Sequence, residues 1–133
     1  CQTTSEAHRY CYRHQCYETT RQVAEYLELR EGTYSTSFQS RLGVDPWLQP
    51  YTDQTIARFA KKGVKNMAIV TPAFVSDCLE TLEEIGMEAA EDFEEKGGEE
   101  LHVIPCINTR ADWVNVMSRW IDQWAKAETV TSA

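Results

Sequence analysis

The chain has 133 residues, 42% of them apolar and four of them tryptophan, a balance that fits one globular domain with a core and argues against disorder. No apolar run approaches the roughly 18 residues of a membrane span. With 21 acids against 13 lysines and arginines the formal net charge is −8, which disfavours nucleic acid, whose binding depends on phosphate neutralisation, and suits equally solubility or a metal cation as client.

Residues 1–13 form a polar segment rich in cysteine. Cys1, Cys11 and Cys16 crowd the start of the chain, with His8 and His14 interleaved; Cys78 and Cys106 stand apart. The count is odd, so a metal site in a reducing compartment fits better than a disulfide scaffold. The gaps match no common zinc finger. From spacing alone, three ordinary thiols and a zinc or iron–sulfur site stay equally open.

Residues 14–29 are predicted to form a helix with Thr20, Val23, Tyr26 and Leu27 inward, ended near Gly32. Alternating Tyr34, Thr36 and Phe38 predict a strand over residues 34–39. Gly43, Pro46 and Pro50 forbid regular structure in the connection that follows, whose large apolar residues Trp47 and Leu48 are either buried by the loop folding back, the reading the sequence alone favours, or the edge of an apolar ligand pocket. Thr52 or Asp53 should cap the next helix, with Ile56, Phe59 and Ala60 inward and Lys61-Lys62-Gly63 at its end. Residues 64–71 read as a buried strand.

A tight turn and an acidic helix come next. Ser76 or Asp77 should cap it, with Glu80 as the capping-box acid, and it should run to Glu95 before Gly97-Gly98 stops it. Asp77, Glu80, Glu84 and Glu88 would form one ridge, continued by Glu91 and Glu95. Such a ridge is either a solvated face or a row of oxygen donors for a divalent cation, with a carboxylate able to take a proton. Residues 99–105 are a strand in which His102 is a packed or surface side chain and Cys106 a small buried residue beyond its end. Asn108 or Thr109 should cap a last helix over residues 111–126. Its stripe of Trp113, Val116, Met117, Trp120, Ile121 and Trp124 reads as core. Residues 128–133 are a polar tail. Alternation of strand and helix implies an α/β fold with a three-layer, mostly parallel sheet. A leading helix with no strand before it suggests that the first strand is missing, and such a piece should fold poorly alone.

Two blocks carry a family resemblance. Phe74-Val75-Ser76-Asp77-Cys78-Leu79-Glu80-Thr81-Leu82-Glu83-Glu84-Ile85 resembles the signature of ferrochelatases. Gln39-Ser40-Arg41-Leu42-Gly43-Val44-Asp45-Pro46-Trp47-Leu48, followed by Pro50, Thr52 and Asp53, agrees with it in order and spacing. The likeness runs over about residues 15–121 and covers only the carboxyl-terminal half of such an enzyme.

The resemblance implies a Rossmann-like chelatase domain over residues 14–127. It implies insertion of ferrous iron into a porphyrin (protoporphyrin IX or coproporphyrin III) in heme biosynthesis. Glu80 matches the glutamate that faces a histidine across the macrocycle. Glu84 is similar to the next acid of the ridge, a second candidate contact for the incoming iron, and Asp77 would orient or assist them. Trp47 and Phe74 would line the porphyrin pocket. Some bacterial members carry a cysteine-rich insertion that holds a [2Fe–2S] cluster, and Cys1, Cys11 and Cys16 stand at the matching place. Glu6-Ala7-His8 looks like the family's Ser-Ala-His motif, but no Leu-Pro or Val-Pro follows. His8 is therefore read as part of the cluster region, and the catalytic histidine as lying in the absent amino-terminal half, which would leave this chain inactive alone. The family setting is cytoplasmic, with peripheral contact to the inner membrane as an option. A cobalt or nickel tetrapyrrole chelatase and a non-enzymatic metal-binding or redox-sensing module stay open as alternatives.

Overall fold

The computed structural model describes residues 3–39 and 46–131. Cys1 and most of the second family block, residues 40–45, lie outside the described residues.

Among the described residues two parallel strands form the sheet. β1 (Asn66–Ile69) pairs with β2 (Glu100–Val103) in the register Met67 to Leu101 and Ile69 to Val103. Parallel neighbours need a crossover, and here it runs through a π-helical segment (Glu80–Glu88) and the α-helix that continues it. Two earlier helices are α1 (Tyr12–Tyr26) and α2 (Thr52–Lys61); the crossover's α-helix is α3 (Ala89–Glu95), and α4 (Ala111–Thr131) closes the chain. The α/β class with parallel pairing is as predicted. One sheet face carries the core: Ile56 and Ala60 from α2, Phe93 from α3 and Leu101 from β2, with Met67 and Ile69 packed against them. Phe93 is fully buried and central.

The turns after α2 and α3 follow from two helix ends of one type. Gly63 after α2 and Gly97 after α3 have φ of 90° and 100°. In each case the next N–H returns six-to-one: Val64 to the Phe59 carbonyl at 3.1 Å, Gly98 to the Phe93 carbonyl at 2.8 Å, the Schellman closure. Gly98 has a second duty, because a Cβ there would overlap the Phe93 ring. Gly98→Ala is therefore expected to cost about 1–3 kcal/mol by overpacking. A urea midpoint lowered with an unchanged slope would show it.

Several expectations need correction. α1 starts at Tyr12 and ends at Tyr26, short of residue 29. Glu28 takes the left-handed position at φ 53°, and the Leu29 N–H closes on the Ala24 carbonyl at 2.9 Å. Residues 34–39 form no strand; Phe38 makes an isolated parallel bridge to Tyr51, through Phe38 N–H to Pro50 O at 2.8 Å and Thr52 N–H to Phe38 O at 3.0 Å. Tyr51, not Thr52 or Asp53, occupies the N-cap of α2, and the Thr52 hydroxyl bonds Ser37 at 3.0 Å instead. Asn108 does not cap α4, whose first bond runs from Val114 N–H to Arg110 O at 3.0 Å. α4 itself continues past residue 126, to Thr131.

The largest correction concerns apolar stripes. Trp120, Ile121 and Trp124 of α4 are 58%, 63% and 63% exposed, and Tyr26 of α1 is 88% exposed. Val70, expected in a buried strand, is exposed, as are Ala68, His102 and Ile104 on the sheet face away from α2 and α3. No described element covers these faces, so their side chains meet solvent.

Candidate functional site

Parallel strands bring their carboxyl ends together, and loops leaving that edge are where α/β sheets build ligand sites. Here the turn after β1 and the turn after β2 are joined by hydrogen bonds. Phe74 N–H bonds Thr71 O at 3.0 Å, and Asn108 N–H bonds Val75 O at 2.9 Å. Asp77 sits between the two turns, half-buried. Its Oδ2 accepts from Asn108 Nδ2 at 2.5 Å, and its Oδ1 accepts from Thr81 Oγ1 at 3.1 Å and from Cys106 N–H at 3.4 Å. Asp77 N–H in turn donates to Asn108 Oδ1 at 2.9 Å.

These donors, the Asn108 amide first and the Cys106 group next, hold the Asp77 carboxyl below the usual aspartate range. Bonding to the charged form is the physical cause. A folded-state value below the ordinary one, about 3.9, contributes stability that is present above the ordinary value and disappears as pH falls through the lowered one. Asp77→Asn is expected to flatten this acid limb, which melting curves from pH 5 downward would register. The Cys106 thiol is pushed up, chiefly by burial, and lies 3.5 Å from the Thr71 hydroxyl.

Thr81 is 2% exposed and joins Asp77 to the next segment. Its hydroxyl oxygen accepts from Cys78 N–H at 2.9 Å. The predicted capping box is absent: neither Asp77 nor Glu80 caps the helix. The predicted continuous α-helix is also replaced over Glu80–Glu88 by a π-helix, in which Ala89 N–H bonds Glu84 O, five residues back. Gly86 permits the wide turn, since a Cβ there would come within 3.3 Å of the Thr81 carbonyl oxygen. Runs of π-helix are rare and concentrate at functional sites.

Glu80 opens this segment and is half-buried. The Cys78 thiol, and then Glu80's own backbone N–H, hold its carboxyl below the usual range, so it is ionised at neutral pH and able to accept a proton. Its neighbours Leu79 and Leu82 are 72% and 59% exposed. Gln39 ties the segment to the preceding loop: Nε2 donates to the Glu80 carbonyl at 2.6 Å and to Glu84 Oε2 at 3.0 Å, while Gln39 O accepts from Trp47 Nε1 at 3.1 Å. A cleft of about 710 Å³ opens beside Gln39, lined by the acids Asp53, Glu83, Glu84, Glu88 and Asp92 together with Phe38 and Ile56. Glu80 does not line it.

Of the predicted site residues, the structure thus links Glu80, Glu84 and Trp47 through Gln39, and joins Asp77 to Glu80's neighbours Cys78 and Thr81. Phe74 lies half-buried on the turn before Asp77 and is held there by its N–H bond to Thr71 O. Cys11 occupies the N-cap of α1 and Cys16 lies within that helix; neither is in a disulfide. The His8 and His14 rings stack with centroids 4.2 Å apart. Among the described residues no three His, Cys, Asp or Glu side chains converge as a metal site, so Cys11 and Cys16 would need ligands from elsewhere. Two residues escaped the sequence reading. Gln39 belongs to a family block that assigns it no role, and Asn108 has the residue type of a helix cap; long-range hydrogen bonds leave no periodic signal.

Comparison with known proteins agrees with the two blocks. The model of the family described as ferrochelatase matches residues 2–125. A ferrochelatase of Pseudomonas putida (strain KT2440) is 48% identical over 115 residues, 86% of this chain and 34% of the relative. One from Legionella pneumophila (strain Lens) is 43% identical over 123 residues, 92% and 37% respectively. One from Coxiella burnetii (strain Dugway 5J108-111) is 44% identical over 119 residues, 90% and 34%. The chain therefore spans about a third of the length of the curated relatives it matches. Signature blocks, parallel sheet edge and a match over nearly its whole length together show that the chain belongs to the ferrochelatase family.

Proposed function

We propose that, within the full-length protein, residues 14–127 form a chelatase domain that carries the carboxylate side of a centre inserting ferrous iron into a porphyrin for heme biosynthesis. The observation that carries this reading is Glu80: an ionised, half-buried carboxylate on a segment whose neighbouring residues Leu79 and Leu82 expose apolar side chains. A flat macrocycle needs such a pairing. Its faces bury against apolar side chains, while two pyrrole N–H protons must leave as the metal enters, and a nearby base must take them.

Glu80 accepts a proton at its carboxylate oxygen. Glu84, held by Gln39 at 3.0 Å, offers an oxygen donor to the incoming cation. The acidic cleft beside it suits a hard divalent ion rather than an apolar ring, so iron would approach from that side. Trp47, 44% exposed, and Phe74 supply apolar surface at the rim. Burial of that rim would supply binding energy for bending the ring toward the inserted geometry. The partner histidine would come from the amino-terminal part of the full-length chain, which would also cover the apolar face of α4. The net charge of −8 supports an assembly without nucleic acid. No helix among the described residues is long and apolar enough to cross a membrane, and the setting proposed is the cytoplasm, with peripheral contact to the inner membrane as an option. Residues 128–133 would form the end piece beyond this domain.

The cysteine segment, residues 1–13, belongs to the same reading. Cys1, Cys11 and Cys16 would supply thiolates to a [2Fe–2S] cluster, completed by a ligand outside them. Their clustering in sequence supports this. Acid-labile sulfide in anaerobically purified full-length protein is the expected result; a colourless protein with stoichiometric zinc overturns it.

The central test adds protoporphyrin IX and then zinc or ferrous iron to the full-length protein. Quenched tryptophan fluorescence followed by metalloporphyrin formation is expected. Metal binding with no porphyrin binding would replace the reading with a metal-binding module.

A further inference from the structure

We propose that Asn108 is a positioning residue for the carboxylate centre. The proposal rests on the chelatase reading and extends it to the second strand's turn. Asn108 meets Asp77 twice: its Oδ1 accepts from Asp77 N–H at 2.9 Å, and its Nδ2 donates to Asp77 Oδ2 at 2.5 Å. One planar amide thus holds both the main chain and the side chain of a single residue. Only this orientation of the amide satisfies both partners, because a carboxylate accepts and an N–H donates. A third bond, Asn108 N–H to Val75 O at 2.9 Å, fixes the same turn.

Beyond Asp77 the tie continues toward Glu80. Asp77 Oδ1 accepts from Thr81 Oγ1, and the Thr81 hydroxyl oxygen accepts from Cys78 N–H. Glu80 lies between Cys78 and Thr81, so the residues around it are referred back to Asn108 across two adjacent strand ends. With both oxygens of Asp77 occupied by protein donors, Asp77 acts here as a strut. Its orientation depends on Asn108.

Residue type is constrained at this position. Asn108 has φ of 52°, in the left-handed region that asparagine and glycine tolerate best. Aspartate would fit the backbone but lacks the donor that faces Asp77 Oδ2. Glycine keeps the turn and removes only the amide. That difference separates a side-chain role from a backbone role.

The test uses the full-length protein, with protoporphyrin IX and zinc ions as substrates and a melting curve for each variant. Asn108→Gly is expected to lower kcat up to about 100-fold, the cost of a small misplacement at a reacting centre. The KM for porphyrin should stay near the wild-type value, and the melting temperature should fall only by the loss of the two Asp77 bonds, leaving the variant fully folded at the assay temperature. Asn108→Asp should lose at least as much kcat, because it sets one carboxylate against another. Wild-type kcat in either variant overturns the proposal. So does a loss of kcat in Asn108→Gly that only parallels a loss of melting temperature or a rise in KM, since the residue would then be a fold element. Wild-type protein that inserts no zinc overturns the chelatase reading and this proposal with it, whereas active wild type with an unaffected Asn108→Gly overturns this proposal alone.

Discussion

Glu80→Gln in the full-length protein is expected to lower the rate of metal insertion by about 10²–10⁴-fold, the range for loss of a positioned proton acceptor, while porphyrin still binds. The substitution keeps shape and removes charge. It leaves the Gln39 bond intact, because Gln39 reaches the backbone carbonyl of residue 80 at 2.6 Å rather than its carboxylate. The apolar side chains of Leu79 and Leu82 are untouched, so porphyrin affinity, followed by tryptophan quenching, should stay within a few-fold. The Cys78 thiol that lowers the Glu80 carboxyl makes this base weaker than a free glutamate. The macrocycle and the covering part of the protein would have to raise it again by excluding water. Undiminished turnover of the glutamine variant would remove Glu80 from the mechanism.

Phe93→Ala should be the most damaging single change to the described fold, at about 3–5 kcal/mol. Phe93 is 0% exposed and central to the cluster of Ile56, Ala60 and Leu101. It also touches the Schellman turn through Gly98, so its ring sets where α3 ends and β2 begins. Truncation leaves a cavity in a core with few other large side chains to collapse into it. A chemical-denaturation midpoint, read beside that of an exposed substitution such as Trp124→Ala, would measure the difference. A loss under about 1 kcal/mol would mean that the cluster is not the stability centre.

The acidic ridge shows where sequence patterns hold and where they stop. Spacings of three and four placed Glu80, Glu84 and Glu88 together, and Glu84 and Glu88 do share the cleft. The same spacings said nothing of the π-helix, because a wider turn keeps residues four apart near one another almost as an α-turn does. Residue 86 is glycine there, and a Cβ at that position would press within 3.3 Å of the Thr81 carbonyl oxygen. The capping prediction failed for a related reason. Asp77 has the right type for a local N-cap, yet a partner 31 residues away, Asn108, competes for it and holds it.

The stripes of α1 and α4 make the complementary point. An apolar residue every third or fourth position fixes which helix face is apolar. Whether the face is buried depends on a second surface, and the described residues of a chain about a third as long as its relatives do not provide one.

Local rules therefore determined the α/β class, the parallel pairing, the helix stops at Gly63 and Gly97, and the family blocks, because each rests on periodicity, backbone steric limits or a contiguous motif. Tertiary structure alone decided that Asn108 and Gln39 anchor the acidic segment, and which apolar faces meet solvent. Those outcomes depend on groups 31 to 45 residues apart meeting in space, and hydrogen bonds over that distance leave no trace in the order of the chain.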